Sequence, residues 1–410
     1  MLPLASLRVI DLTQVYAGPY AGRMLADMGA EVIRVESVAR SGRGGQKPQP
    51  GAVYPDGDPG EKPYNRSAYY NELNRSKLAV SLDLSKDQGR EVFKRFVKIS
   101  DVIIENFSPR VMANFGLDYP VLEKVNPKII MVSISAYGQT GPYRDYVSFG
   151  RGTEAMAGLS QITGYEDGLP LGPGTAYADA TAGLHAAFAV LVALRDRRRT
   201  GKGQHIDLSL CESLTCLLGE HVLSQSMNKR PPVCKGNDDA GRIVQGCYRC
   251  HGDDEWVAIE VRSKAEWELF CNAIGNPAGV SDERFANPGN RERLDRIIEE
   301  WTTLHSADAA MHILQQAGVR AGAVLSAKDL TQNPHLHARG FFETIIHPEA
   351  GTHVYPGMPW KMNWAPGRIR TPAPCFAQHN DYVFGELLGM SKAQILEMED
   401  SGITSKTPRQ

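Results

Sequence analysis

The opening of the chain constrains its fold more than any other stretch. Leu7–Leu12 reads as a short strand, Tyr20–Met28 places Met24, Leu25 and Met28 at helical spacing before Gly29, and Glu31–Glu36 reads as a second strand. Strand, helix and strand in that order imply a parallel pair joined by a right-handed crossover. The alternation then continues. Leu78–Leu84 is a strand, and Asp87–Ile99 is a helix with Val92, Phe93, Phe96 and Val97 on one face. Asp101–Asn106 is a strand, a short helix starts at Pro109, and Lys128–Ser135 is a further strand. Such alternation predicts an α/β fold with a doubly wound, Rossmann-like parallel sheet in a large domain. The Gly- and Pro-rich run at 41–65 has no period and predicts a long loop.

Past Gln204 the pattern changes. His205–Leu210 predicts a strand and Ser213–Asn228 a long helix, before the break at Lys229-Arg-Pro-Pro-Val. Gly246–His251 and Glu255–Val261 predict a hairpin. Helices are expected at Lys264–Ala273, Asn290–Thr302 and Ala307–Ala317, giving a smaller α+β domain. A second hairpin is expected from Phe341 to Tyr355, turning at Glu349-Ala-Gly351. A Pro-rich linker at 366–374 and two closing helices follow, the second capped by Ser391. The expected boundaries are 1–225 for the large domain, 226–330 for the small one and 331–410 for a return to the large one. His335 and His337 flank a single leucine and are expected to share an exposed strand face.

With 410 residues and a formal charge of −2, the chain has no electrostatic bias toward nucleic acid or an anionic membrane. Its first residues carry no early positive charge, so no signal peptide is expected. The apolar run after Gly183 is broken by His185 and ends at Arg195, so no membrane span is expected either. Seven cysteines and no secretory signal predict free thiols and a cytoplasmic setting. Cys247-Tyr-Arg-Cys250-His251 spells a c-type haem attachment pattern, and with Cys234 it offers four zinc ligands, but the same residues fit a plain hairpin. No metal or permanently bound cofactor is expected.

Glu36 ends the second strand where a ribose-binding acid would stand, yet the first turn, Tyr16-Ala-Gly-Pro-Tyr-Ala-Gly22, lacks G-x-G-x-x-G. There is no G-x-S-x-G elbow and no H-E-x-x-H. The stretch that invites chemistry is Leu171–His185. It is a Gly- and Pro-punctuated loop entering a helix that is apolar on all sides as far as Leu194. A helix of that kind is expected to be buried. Asp179 then stands at its mouth, as an N-cap or as a preorganised nucleophile.

Several stretches resemble the family III CoA-transferases of the CaiB/BaiF type. They are Asp11-Leu-Thr with Ala17-Gly-Pro19, Leu25–Glu36, Asn74–Leu84, Asp101–Phe107, Ser135–Pro142, Arg199–Gln204 with Ser209–Glu212, and Leu387–Ser391 with Gly402-Ile403. The resemblance implies that Asp179 attacks an acyl-CoA, forming an acyl-aspartyl anhydride and then an aspartyl-CoA thioester from which an acceptor carboxylate takes the CoA. It implies that Val15 and Tyr16 line the pantetheine. Arg34, Asn74, Arg75, Lys77, Asn106 and Phe107 would lie toward the nucleotide, and Tyr137 and Gln139 would orient the substrate. Coenzyme A thioesters and a free carboxylate are the implied partners, with succinyl-CoA and a dicarboxylic or aryl-succinate acceptor as one pair, within an interlocked homodimer or a hetero-oligomer. Arg151, Arg242 and Arg262 are candidates for a second carboxylate. Two departures stand out. Ile259–Ser263 lacks the family's small-domain glycine run, and Asn114 replaces an arginine for which Arg110 can substitute. The superfamily's acyl-CoA racemases are the alternative, but their histidine would fall near Phe149. A non-catalytic subunit is a further alternative, against which the intact Asp179 argues.

Overall fold

The computed structural model describes residues 2–39, 46–166, 168–230, 233–237, 242–277 and 291–409. Residues 41–45 of the expected loop, the Pro231-Pro232 break and the first residue of the helix expected at Asn290 lie outside these. The chain forms two compact units. One comprises Met1–Ser160, Gly172–Pro231 and Ala338–Gln410, the other Gln161–Leu171 and Pro232–His337.

The larger unit is built on six parallel strands: β1 (Arg8–Asp11), β2 (Glu31–Glu36), β3 (Leu78–Ser81), β4 (Val102–Glu105), β5 (Ile130–Ser135) and β6 (Gln204–Ser209). Their spatial order is β3-β2-β1-β4-β5-β6. The order reverses between β1 and β4, and in open parallel sheets the crevice beyond the strand ends at such a point is where ligands bind. Strand periodicity divides the core. Ile10, Ile33, Val80 and Ile103 point to one face, with Phe93 and Phe96. Val9, Val32, Val102, Ile104 and Val132 point to the other, with Met24, Leu25, Ala182 and Val190.

Five helices of this unit matter below: α1 (Ala17–Asp27), α2 (Ala68–Asn74), α3 (Asp87–Lys98), α4 (Gly150–Met156) and α5 (Tyr177–Thr200). The expectation for α5 was half right. Ala178, Ala182, Ala186 and Val190 form a buried stripe at helical spacing, while Leu184, Phe188, Leu191 and Val192 are exposed, Phe188 at 66%. By length and composition α5 is also apolar enough to cross a membrane, because it starts at Tyr177 and runs through His185. Its buried stripe nonetheless packs on α1 and the sheet. The helix expected over Ser213–Asn228 is broken: Leu210–Thr215 and Gly219–Asn228 are helical, with a tighter turn between them.

The C-terminal segment seals the sheet's β3 edge. The Ala79 N–H donates to His379 Nδ1 at 3.1 Å and the Ser81 N–H to Asn380 Oδ1 at 3.0 Å, so side chains occupy donors that an edge strand otherwise leaves open. The first closing helix, Asp381–Leu387, is π-helical. The second carries the Ser391 capping box.

In the smaller unit β7 (Val244–Arg249), β8 (Trp256–Val261) and β9 (Arg320–Ala323) form an antiparallel sheet, with helices at Lys264–Ala273, Arg291–Thr302 and Ala307–Gln316. Cys247 lies on the expected hairpin, and the described cysteines are all free. Among the described residues no group of three or more His, Cys, Asp or Glu is arranged around a metal position. His335 and His337 lie on a short helix, Pro334–Ala338, rather than on a strand. In the larger unit, β10 (Phe342–His347) and β11 (Gly351–Pro356) form the second expected hairpin.

Candidate active site

Small residues create the site by letting two helices approach. A Cβ added at Gly183 of α5 would lie 2.7 Å from the Ala17 carbonyl oxygen and 2.8 Å from Tyr20 Cδ1, so α1 and α5 touch along their backbones. That contact brings the start of α1 to the start of α5. There the Ala17 N–H, one of the first-turn donors without an intrahelical acceptor, lies close enough to the Asp179 carboxylate to ease its charge. Asp179 is not the N-cap. Ala176 holds that position without a side-chain cap, and Asp179 lies inside the first turn. A third element closes on the same carboxylate: a Cβ at Gly150, the first residue of α4, would stand 2.3 Å from Asp179 Oδ2. Only glycine leaves room for the carboxylate there.

Asp179 is 8% exposed. Burial pushes its pKa up to about 6, the nearby Glu154 carboxylate adds to the rise, and the Ala17 N–H offsets part of it. The carboxylate faces a cavity of about 260 Å³ lined by Gln14, Val15, Asn106, Phe107, Tyr146 and Phe149 among others. A second cavity, of about 520 Å³, runs over the ends of β2 and β3 past Val35, Ser37 and Leu84, and shares Gln14 and Phe107 with the first. Together they form a crevice along the sheet's C-terminal edge, across the β1/β4 reversal.

The loop before α1 is held under strain. Val15 has φ 63°, a left-handed conformation unfavourable for a β-branched residue. Asn106 clamps its neighbour at two points: Oδ1 accepts the Gln14 N–H at 2.8 Å and Nδ2 donates to the Gln14 carbonyl at 2.7 Å. Asn106 is itself placed by the end of β4, where Glu105 accepts the Phe107 N–H at 2.8 Å. Burial pushes the Glu105 carboxyl up to about 7.

The residues singled out from sequence thus fall into two groups. Asp179, Val15, Asn106 and Phe107 meet at one cavity. Tyr16 flanks it and feels the Asp179 charge, with its ring 6.0 Å from Tyr69 and 5.7 Å from Tyr20. Tyr137 packs edge-on against Tyr143 and against Tyr146, which reaches the lining. Gln139 turns its N–H to the Asp207 carboxylate at 2.9 Å. The cations are placed differently from the expectation of nucleotide contacts. Arg34, Asn74, Arg75 and Lys77 are buried. Lys77 Nζ donates to Asp11 at 2.8 Å and to the Pro19 carbonyl at 2.9 Å. Arg34 donates to the Thr13 carbonyl at 2.8 Å and to Glu36 at 3.2 Å, and Arg75 forks onto Asp27 at 3.0 and 3.1 Å. A buried cation needs such partners. Here Lys77 and Arg34 hold the Thr13–Pro19 turn in shape instead of presenting charge to solvent.

Sequence reading missed Gly150, Gln14 and Glu154. The glycine pair Gly150 and Gly152 ahead of Glu154 was the available signal, since glycine often marks a close approach.

Comparisons with known proteins identify the family. A family model for CoA-transferase family III matches residues 4–380. The chain is 34% identical over 392 residues to a succinate–glutarate CoA-transferase of Agrobacterium fabrum, covering 94% of this chain and 96% of that one. It is 31% identical to a succinyl-CoA–D-citramalate CoA-transferase of Chloroflexus aurantiacus, covering 97% of each. A CaiB/BaiF family protein from Brucella suis superposes with a TM-score of 0.84 at 30% identity, covering 94% of this chain and 99% of that one. With a switch-point crevice, a desolvated carboxylate at its end and near full-length matches of this kind, the chain belongs to the family III CoA-transferases.

Proposed function

We propose that this chain moves coenzyme A between carboxylic acids with Asp179 as the nucleophile. The observation that carries the reading is a carboxylate buried at the end of the switch-point crevice, its charge eased by backbone N–H groups and, among the described residues, opposed by the acid Glu154. Such a group is poorly solvated and more basic than an ordinary aspartate, which suits a nucleophile. In the first step an Asp179 oxygen bonds to the donor's acyl carbon, and the C–S bond breaks with its electron pair on the CoA sulfur. The thiolate then attacks the aspartyl carbonyl of the anhydride and releases the donor acid. The acceptor carboxylate attacks the aspartyl thioester, and the thiolate finally takes the acceptor acyl group, restoring Asp179. No net redox change occurs, and no proton need move. First-turn N–H groups of α1 supply fixed donors beside the reacting carbonyl.

In this reading the thioester lies in the cavity at Asp179, the pantetheine passes Val15 and Tyr16, and Asn106 and Phe107 flank its path toward the larger cavity over β2 and β3. Tyr137 and Gln139 belong to the segment that orients the acyl group. The named relatives act on succinate, glutarate and citramalate or their CoA esters, which supports succinyl-CoA as donor and a short dicarboxylic acid as acceptor. The exposed apolar stripe of α5 supports a second copy of the chain as partner.

The test is product mass spectrometry. Protein is incubated with succinyl-CoA and a panel of mono- and dicarboxylic acids, beside Asp179→Ala. New acyl-CoA masses with dicarboxylic acceptors, absent in the variant, are expected. Exchange that survives Asp179→Ala would remove the assignment. Solvent deuterium entering the acyl α-position without an acceptor would favour the racemase alternative.

A further inference from the structure

Glu154 is the most completely buried carboxylate beside the site, and the steps above leave it idle. It is 0% exposed. Its Oε1 accepts the N–H of Tyr177, the first residue of α5, at 2.7 Å. This is the cap that α5 otherwise lacks, supplied from another helix, since Ala176 offers none. Among the described residues Oε2 has no hydrogen-bond partner, although the atom is shut away from solvent. A Cβ at Gly172 would come within 3.8 Å of it, so the loop leading into α5 passes over this oxygen.

An unpartnered buried carboxylate oxygen is costly, and its cost calls for an explanation. Glu154 sits in α4, whose first residue, Gly150, touches Asp179. The same short helix therefore sets the wall against the nucleophile and a second acid near it. The titratable groups whose charge is felt at or from Asp179 are Glu154 on α4, Tyr16 ahead of α1 and Tyr69 on α2. Burial raises both tyrosines above their ordinary range, so neither carries charge near neutrality. Among the described residues Glu154 is the acid whose nearness raises the Asp179 pKa.

We propose that Glu154 is a positioning residue that fixes the first turn of α5 through Tyr177 and, as a second buried carboxylate, favours transfer of negative charge from Asp179 to the departing sulfur. The proposal rests on Asp179 acting as the nucleophile. When Asp179 is acylated it becomes neutral, its oxygen having formed the C–O bond while the electron pair of the broken C–S bond leaves on sulfur. The repulsion between the two acids then disappears. Only the charged form of Asp179 is penalised by Glu154, so the penalty raises the reactivity of the resting carboxylate without impeding the anhydride.

The variant Glu154→Gln keeps an oxygen for the Tyr177 N–H and removes the charge. Two measurements are made on it. The first is the acid limb of kcat/KM for succinyl-CoA. It is expected about one unit lower in pH than in the wild type, with a plateau rate down about tenfold. The second is the ¹³C titration of the Asp179 carboxyl in aspartate-labelled protein, assigned by its loss in Asp179→Asn. Its midpoint is expected to fall by a similar amount. An unmoved limb and midpoint, whatever the rate, overturn the proposal and leave Glu154 a structural cap. Should the glutamine variant not fold, Glu154→Asp keeps the charge and withdraws from Tyr177. Its limb is expected to stay raised while the rate falls, and a limb relaxed to the ordinary carboxylate range overturns the proposal. The two readings fail separately. No exchange in the wild type sinks the transferase assignment while the ¹³C midpoint still reports on Glu154.

Discussion

Asp11 and Asp179 are both buried aspartates in the larger unit, and they have opposite fates. Asp11, at the end of β1, is 0% exposed and is met by Lys77, by the Thr13 N–H and by the Thr13 hydroxyl. Burial alone would raise its pKa, but Lys77 and Arg34 outweigh that and hold it below the usual carboxylate range. Asp179 has Glu154 where Asp11 has Lys77, and it is pushed up to about 6. Asp11 is the more deeply buried of the two, yet its pKa is the one that falls, because the sign of the neighbouring charge differs. A paired carboxylate is inert scaffold, and a desolvated carboxylate with an acid beside it is primed to react.

The comparison is tested most severely by Asp179→Asn. Turnover should fall by about 10⁴-fold or more, as when other covalent nucleophiles are removed. The same substitution should stabilise the fold. A pKa raised above its unfolded value of 3.8 contributes stability that is full below about pH 4 and lost as pH rises through about 6. At pH 8 the charged Asp179 is therefore a liability, and its removal should gain about 1–3 kcal/mol in urea unfolding, shrinking toward zero near pH 4. A loss of stability at pH 8 would break the contrast with Asp11.

Lys77→Met addresses the other side. Leaving Asp11 buried and unpaired should cost about 3–5 kcal/mol in the same assay. Asp11→Asn in the Lys77→Met background should recover a part. A change under about 0.5 kcal/mol in the single variant would mean that Asp11 is not held by Lys77. Gly150→Ala sharpens the account of position: its methyl would overlap Asp179 Oδ2, so kcat/KM should drop by about 10–100-fold with the fold retained. The smallest effect is expected at Val15→Gly. It relieves a left-handed β-branched residue but loosens the turn, so stability should shift by less than about 1 kcal/mol while KM for the acyl-CoA rises a few-fold.

The same contrast marks what could be read from the chain. The sheet was legible because its strands alternate with helices at regular intervals, and Ile10, Ile33 and Ile103 report buried strands by themselves. Asp179 drew attention because a Gly- and Pro-rich loop enters a long apolar helix at that point, but the loop left cap and nucleophile open and only the resemblance chose between them. The cations were not. Lys77 and Asp11 are 66 positions apart, and nothing local says that the lysine turns inward. The resemblance set Asn74-Arg-Ser-Lys77 toward the nucleotide; folded, Lys77 holds the Thr13–Pro19 turn and Arg75 is forked onto Asp27. Helix α5 misled for the opposite reason. Its composition is apolar on every side, but one chain covers only the stripe through Ala182, Ala186 and Val190, leaving Phe188 and its neighbours open. Glu154 escaped notice because an acid in a seven-residue helix looks like any solvated residue until its burial is seen.

The most direct test of a reactive carboxylate at 179 is to trap its acylated form. Protein mixed with succinyl-CoA, quenched in acid within a second and digested, is examined by mass spectrometry for the peptide that carries Asp179. Added mass of an acyl group or of CoA on that peptide, absent in Asp179→Asn, is the expected result. Brisk exchange of CoA between acids with that peptide always unmodified, under quench conditions shown to preserve an aspartyl thioester, would contradict it.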